Sequence, residues 1–316
     1  MSIHHVTAIV REPQRNLDFY AGTLGMRLVK LTVNYDDPGR YHLYYGDELG
    51  RPGSLLTFFP WTTGRPGRQG TGQINGVGLA VPTGSLGFWI ERLLSRGVKF
   101  EGPTRRFDEQ VLAFADPDGL MLEIIATTRV AETSGWSGGP VAAEHAVRGV
   151  HAVTIWEDGE AGSAAFLTNR MGFRATGSDD NRHRFESGES GLGTVVDLRR
   201  TPGFWGGTEG VGTVHHVAYR AADDSEQLAR REALVGSGVA VTEVRDRQYF
   251  RSIYFREPGG VLYEIATDGP GFTVDEPASK LGTSLKLPAH LERMRPRLEV
   301  ALPAIHLPHT PTPIGD

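Results

Sequence analysis

Four times along the chain an apolar, alternating run is followed by a helix-like stretch and then by short strand-like segments. The runs open at His4-His5-Val6-Thr7, Asn75-Gly76-Val77-Gly78, His151-Ala152-Val153-Thr154 and His215-His216-Val217-Ala218. Their starts are roughly 60 to 80 residues apart, the kind of spacing that marks an internal repeat. The helix-like stretches cover 16–24, 85–96, 161–170 and 225–235. Period-two alternation then predicts strands such as 41–45 with 55–59 and 182–186 with 194–198. A βαβββ unit used four times accounts for this order better than one large fold. The pattern therefore predicts an α+β protein of four βαβββ modules arranged as two paired-module domains.

The repeat is sharpest where each half closes. FADPDGLMLEIIATT from Phe114 and FREPGGVLYEIATDG from Phe255 share an aromatic residue, an acid-Pro-x-Gly turn and an apolar strand with a glutamate in its middle. Glu123 and Glu264 are thus equivalent positions. Upstream, IHHVTAIV from Ile3 and VHHVAYR from Val214 each open a strand with paired histidines. Two histidines and one carboxylate on three strands form the set that holds a divalent ion while leaving coordination positions open.

Strand geometry narrows the choice, because neighbouring side chains point to opposite faces and paired histidines cannot both reach one ion. In the first strand His4, Val6, Ala8 and Val10 share a face suited to packing on the module's own helix, which leaves His5 and Thr7 on the open face. The same phase sets His216 beside Ala218 and Glu264 beside Leu262. Register therefore selects His5, His216 and Glu264 as candidate metal ligands and places His4 and His215 off the metal. A carboxylate buried in an apolar strand without a partner is strongly disfavoured, which strengthens the set.

The repeat also supplies an internal control. If module 1 pairs with 4 and module 2 with 3, the second pair offers Gly76, Ala152 and Glu123. It keeps the carboxylate and lacks both histidines, so one metal site per chain is expected. His151 aligns with His4 and not with His5, and is expected either to support a site residue from behind or to be structural. Ten residues before Asp116 and Glu257 stand Arg106 and Arg247, and three residues before them stand Ala113 and Tyr254. A phenol near a metal can exchange a proton with a bound oxygen, and a guanidinium can stabilise an anionic one. Tyr254 and Arg247 are accordingly candidate catalytic groups.

Composition removes other classes of function. The formal charge is -5 with scattered cations, which gives no stripe for nucleic acid. There is no cysteine, so disulfides, thiolate nucleophiles and cysteine-bound zinc are excluded, as suits an intracellular protein. No apolar run approaches the ~20 residues of a membrane span, and a soluble cytoplasmic protein is expected. The 316 residues divide into a paired-module domain at 1–128, a linker at 129–147, a second paired-module domain at 148–275 and a tail at 276–316. Within the linker, Ser-Gly-Trp-Ser-Gly-Gly-Pro is expected to pin Trp136 against a domain. In the tail, a helix-like pattern over 288–302 is expected to be interrupted at Pro296 and to give way to a proline-rich end.

HHVT, YHLYYGDELGRPGS, EHAVRGVHAVT, NRHRF, VHHVAYR and the glutamate strand, in that order, resemble the ring-cleaving dioxygenases of the vicinal-oxygen-chelate (glyoxalase/extradiol) superfamily. Within it the likeness is greatest to the hydroquinone-dioxygenase branch and extends to LGTSLKLPAHLE in the tail. The resemblance implies Fe(II), with Mn(II) as the alternative ion, held by His5, His216 and Glu264. It places His4, Thr7, His215, Arg247 and Tyr254 around a small aromatic substrate that reacts with O2, and it leaves self-association open. Gln248 stands where some relatives carry glycine, which bears on the shape of the site. A catechol is the alternative substrate. A metal-dependent glyoxalase-type lyase or isomerase would commonly add a fourth protein ligand, and the closing strand of module 1 offers Thr57 instead of a carboxylate. A non-catalytic binding protein would need no triad.

Overall fold

Each repeat folds as strand, helix and further strands, in the order that the periodicity predicts. The computed structural model describes residues 1–130 and 133–307. Module 1 comprises β1 (Ile3–Val10), α1 (Pro13–Leu17), β2 (Arg27–Asn34), β3 (Asp37–Gly46) and β4 (Leu55–Pro60). Module 2 comprises β5 (Gln73–Val81), α2 (Leu86–Ser95), β6 (Phe100–Arg106), β7 (Glu109–Ala115) and β8 (Met121–Ala126). Module 3 comprises β9 (Gly149–Glu157), α3 (Ala161–Asn169), β10 (Phe173–Asp179), β11 (Arg182–Ser187) and β12 (Val195–Arg200). Module 4 comprises β13 (Thr213–Ala221), α4 (Asp224–Gly236), β14 (Arg245–Asp246), β15 (Arg251–Arg256) and β16 (Leu262–Thr267). The first helix differs from its expected span. It starts at Pro13, where a missing N–H costs nothing, and widens into a π-turn over Asp18–Thr23.

The strands form two curled eight-stranded sheets, ordered β14-β15-β16-β13-β1-β4-β3-β2 and β10-β11-β12-β9-β5-β8-β7-β6. Module 1 therefore shares a sheet with module 4, and module 2 with module 3. The sequence halves 1–128 and 148–275 each contribute one module to either sheet. Within a module the first strand runs parallel to the last, β1 beside β4 and β13 beside β16, while β1 and β13 meet antiparallel at the centre. Val6, Ala8, Val10, Val217, Tyr219 and Tyr263 pack outward into the large apolar core. The concave face carries a smaller cluster that includes Leu55, Ala218, Phe250 and Ala266.

Two irregularities at the central ladder alter the strict alternation expected from the sequence. Ile3 pairs with Tyr219 and His5 with Ala218, then Thr7 with His216 and Ala8 with Val214. One residue is passed over on each strand, His4 on β1 and His215 on β13. Such bulges re-aim the side chain of the extra residue. His4 consequently leaves the helix-facing row of Val6, Ala8 and Val10 and turns its ring toward Phe250, with centroids 5.1 Å apart.

The segment after the first half has no strand or helix over residues 133–148. It is anchored on α2, where Trp89 Nε1 donates to the His145 carbonyl at 3.0 Å and Phe88 stacks on the His145 ring. Trp136 is partly buried, with Gly138 and Gly139 close against its ring. In the tail, Pro296 sits in the first turn of α5 (Arg295–Ala301) and starts that helix instead of interrupting it, because its fixed φ suits the position. The tail is strapped to module 1 by Lys30 of β2, a fully buried cation. Its Nζ donates to Asp275 Oδ1 at 2.7 Å, to the Phe272 carbonyl at 3.0 Å and to the Glu276 carboxylate. Lysine is almost never fully buried unless paired in this way. The proline-rich end falls mostly beyond residue 307, outside the described residues. No helix among the described residues is long and apolar enough to cross a membrane.

Two acidic groups are buried together where module 3 meets module 4. Glu157, at the end of β9, and Glu257, in the turn before β16, are both buried. Ser163 donates to Glu157 Oε1 at 3.0 Å, and the Val261 amide donates to Glu257 Oε1 at 2.9 Å. Burial, followed by the charge of Glu257, pushes the Glu157 carboxyl up to about 7. Its folded value lies above its unfolded value near ~4.3, so its contribution is complete at acid pH and is lost as pH rises through about 7. Thermal unfolding of the wild type should therefore shift downward between pH 5.5 and 8.5. Glu157→Gln, which stays neutral, should flatten that dependence, and parallel pH profiles for the two proteins would refute the assignment.

Candidate metal centre

The two central strands and their parallel neighbour bring three polar side chains to one point on the concave face. His5 comes from β1, His216 from β13 and Glu264 from β16, and all three are buried. His5 Nε2 and His216 Nε2 are 3.3 Å apart, and Glu264 Oε2 lies 3.5 Å and 2.9 Å from them. An ion about 2.0–2.2 Å from each of three ligand atoms at right angles sets those atoms about 3 Å apart, so the triangle has the dimensions of one face of an octahedral site.

Hydrogen bonds leave this triangle unsatisfied. Glu264 Oε2 has no hydrogen-bond partner of proper alignment even though His216 Nε2 approaches to 2.9 Å. Burial would raise the Glu264 carboxyl, but the charge of His5 and the contacts of His216 and His5 outweigh it and hold the group well below the usual range. Burial drives His216 down to about 4, against the pull of Glu264. An ionised Glu264 and a neutral His216 are in the forms that bind a divalent ion. The residues present therefore fit a metal of the 2-His-1-carboxylate kind.

The outer atoms of the triad are held in turn. His5 Nδ1 lies 2.9 Å from His4 Nδ1, and His216 Nδ1 lies 2.7 Å from His215 Nδ1. A neutral imidazole that binds metal through Nε2 carries its proton on Nδ1, so with a metal bound each inner histidine would donate to the bulged histidine before it. The proton of each outer histidine would then be on Nε2. Ser252 of β15 completes the shell, with Oγ donating to Glu264 Oε1 at 2.5 Å.

A cavity of about 250 Å³ opens on the triad. Arg247, Tyr254 and His215 line it, together with His42, Tyr44 and Phe250. Arg247 Nε donates to the Tyr254 hydroxyl at 3.2 Å, and its Nη2 donates to Asp36 at 3.0 Å. Burial raises the Tyr254 phenol, with the charge of Glu264 adding to it and Arg247 opposing, so the hydroxyl keeps its proton. Two residues expected around the substrate lie a layer behind the wall. His4 contacts His5 and faces a second, smaller cavity on the other side of Phe250, and its Nε2 has no partner. Thr7 is fully buried and bonds Thr57 Oγ1 at 2.8 Å. Gln248 donates through its side-chain amide to Asp275 at 2.9 Å and holds the tail.

The equivalent place in the other sheet is closed by ion pairs. Arg106 grips Glu123 with two bonds of 2.6 Å. Arg184 bonds Asp197 and Glu109, Arg182 bonds Asp197, and His151 bonds Glu109 at 2.5 Å. His151 is thus held within this ion-pair cluster. Sequence reasoning passed over Ser252, His42 and Tyr44. Ser252 stands in the column that holds Val111 in module 2, two residues from the Tyr254/Ala113 contrast, so the same comparison could have found it.

Comparison with known proteins gives the site its context. Residues 2–124 and 149–265 match the model of the Glyoxalase/Bleomycin resistance protein/Dioxygenase superfamily. The chain is 45% identical over 302 residues to MhqO of Bacillus subtilis (strain 168), provisionally described as a ring-cleaving dioxygenase, with 96% of each protein covered. It is 37% identical over 304 residues to the chlorohydroquinone/hydroquinone 1,2-dioxygenase of Sphingobium indicum, with 94% of each covered. Among solved structures, a dioxygenase-like protein of Bacillus subtilis superposes with a TM-score of 0.92 at 44% identity, covering 98% of both chains.

The internal control yields a direct test of the centre. His5→Ala, His216→Ala and Glu264→Ala should each sharply reduce stoichiometric iron, measured by elemental analysis after anaerobic loading. Glu123→Ala should keep the iron, because Glu123 is already neutralised by Arg106. Equal iron loss from Glu123→Ala would overturn the single-site assignment.

Proposed function

The chain belongs to the Glyoxalase/Bleomycin resistance protein/Dioxygenase superfamily, and on that premise we propose that it is an Fe(II)-dependent ring-cleaving dioxygenase acting on a hydroquinone-type aromatic. His5, His216 and Glu264 are the proposed ligands, Mn(II) is the alternative ion, and the absence of cysteine accords with work in the cytoplasm.

The observation that carries this reading is the one-sided triad. Thr7 pairs with Thr57 across β1 and β4 as Ala218 pairs with Glu264 across β13 and β16. Thr57 therefore occupies in module 1 the place of the metal-binding carboxylate in module 4. With no acid there, the protein offers three ligands on one side and leaves the other side open, as a centre that must accept both a ring oxygen and O2 requires. A lyase that completes its coordination with a fourth protein ligand is served less well, and a simple binding module has no use for the triad.

Fe(II) bound by the triad would supply a common seat for ring and O2 and a path for electron density between them. The chain's own groups do the positioning. Tyr254 accepts from Arg247, so its own proton points away from that bond and can be given to a ring oxygen in the cavity. Arg247, braced by Asp36, sets a positive charge where an oxygen anion needs it. His215 presents an N–H to the same space, and Phe250 and Phe59 supply apolar walls for the ring. In the overall reaction one ring C–C bond breaks and both oxygen atoms of O2 enter the product.

Oxygen uptake by the anaerobically iron-loaded protein against a panel of hydroquinones and catechols tests the proposal. One O2 should be consumed per ring with a hydroquinone, and an iron-replete protein inert toward every ring in the panel would end this reading. Tyr254→Phe removes one hydroxyl and keeps the packing volume. Its iron content should survive while turnover falls by at least about tenfold, within the range of acid–base contributions. Wild-type turnover in that variant would reduce Tyr254 to a packing residue.

A further inference from the structure

The two modules of the metal-bearing sheet carry matching hydrogen-bonding arms, and the second arm has no role in the chemistry above. In module 4, Glu264 sits opposite Tyr254 on the β15–β16 ladder, and Ser252, two residues before the tyrosine, bonds the Glu264 carboxylate. In module 1, Thr57 sits opposite Tyr44 on the β3–β4 ladder, and His42, two residues before that tyrosine, bonds Thr57 Oγ1 through Nε2 at 2.9 Å. Tyr44 and His42 thus stand where Tyr254 and Ser252 stand, on the side of the centre that Thr57 leaves open. Both line the cavity that holds the triad. At the same register in module 3, Arg184 and Arg182 fill the space and are locked on Asp197.

The arm is a continuous chain of four groups. Thr7 Oγ1 lies 2.8 Å from Thr57 Oγ1, and Tyr44 OH lies 2.7 Å from His42 Nδ1. Both nitrogens of His42 are engaged, so a neutral ring donates on one side and accepts on the other. If Nε2 donates to Thr57, Tyr44 gives its proton to Nδ1 and its oxygen is left to accept from a hydroxyl in the cavity. With every proton moved one bond along, Tyr44 donates into the cavity instead. Either sense leaves one hydrogen-bonding position on a buried hydroxyl, which is costly when unfilled.

We propose that Tyr44, held by the positioning residue His42, binds the second hydroxyl of a dihydroxylated ring and so selects such rings over simple phenols. The assignment rests on the hydroquinone reading above. A ring with one hydroxyl satisfies the metal and leaves Tyr44 unpaired, and sites built to hydrogen-bond a hydroxyl reject analogues that lack it.

Calorimetric titration of the iron-loaded protein under anaerobic conditions, with hydroquinone and with phenol, reads this selection without turnover. The wild type should bind hydroquinone at least about tenfold more tightly than phenol, the scale of one hydrogen bond. Tyr44→Phe should retain iron and its affinity for phenol and lose that preference. His42→Leu should lose it as well, and His42→Gln, which keeps a donor and an acceptor, should recover part of it. If His42→Leu does not fold, Tyr44→Phe decides. An undiminished preference in Tyr44→Phe, or equal weakening for both ligands, overturns the role of Tyr44 while leaving the hydroquinone reading intact. Failure of the wild type to bind hydroquinone overturns that reading and this assignment with it.

Discussion

A carboxylate buried in the middle of an apolar strand must meet a cation, and this molecule answers that demand in two ways at equivalent positions. Glu123 is neutralised by the bidentate guanidinium of Arg106. Glu264 instead shares its oxygens between Ser252 and the Nε2 atoms of two histidines, and by hydrogen-bond geometry Oε2 is left without a partner. Uncompensated charge in such a place is strongly unfavourable, whereas a divalent ion satisfies all three atoms at once. The closed ion-pair cluster and the open cavity differ in whether an arginine grips the carboxylate.

The rest of the site follows from how the strands deliver that set. Pairing β1 with β13 brings together two histidines that are distant in sequence, and the parallel β13–β16 contact adds the carboxylate. The bulges at His4 and His215 set the Nδ1 of each of these rings against the Nδ1 of the histidine beside it. Thr57 keeps the opposite side free of carboxylate, so room is left for exogenous ligands. Lys30 stabilises the arrangement from outside. Asp275 binds Lys30, Gln248 and the Tyr249 hydroxyl, which ties the tail to the loop that carries Phe250 against His4 and His5.

Much of this was legible in the chain because the repeat turns one half into a control for the other. The four modules and the choice of His5, His216 and Glu264 as candidates needed only alternation and equivalence, whereas the pairing of module 1 with 4 and of 2 with 3 entered as a condition that the sheet order supplies. What alternation cannot express is a skipped residue: the bulges depend on how β1 and β13 pair, and that pairing joins residues about two hundred apart. His4 was expected around the ring and lies behind the wall for this reason, whereas Thr7, which is not skipped, is kept from the cavity by its pairing and bond with Thr57. Pro296 read as a breaker because its place within a helix turn is set by where the preceding chain docks. Ser252, His42 and Lys30 look like ordinary polar residues in strands until the sheet shows what they face.

The central claim is that one ion per chain is held by His5, His216 and Glu264 alone. Diffraction from crystals of the iron-loaded protein, recorded on both sides of the iron absorption edge, addresses it most directly. The account predicts one anomalous peak per chain, about 2.0–2.3 Å from His5 Nε2, His216 Nε2 and a Glu264 oxygen, with no peak near Glu123. A peak between Arg106 and Glu123, or an ion coordinated by His4, His215 or Thr57, would contradict it.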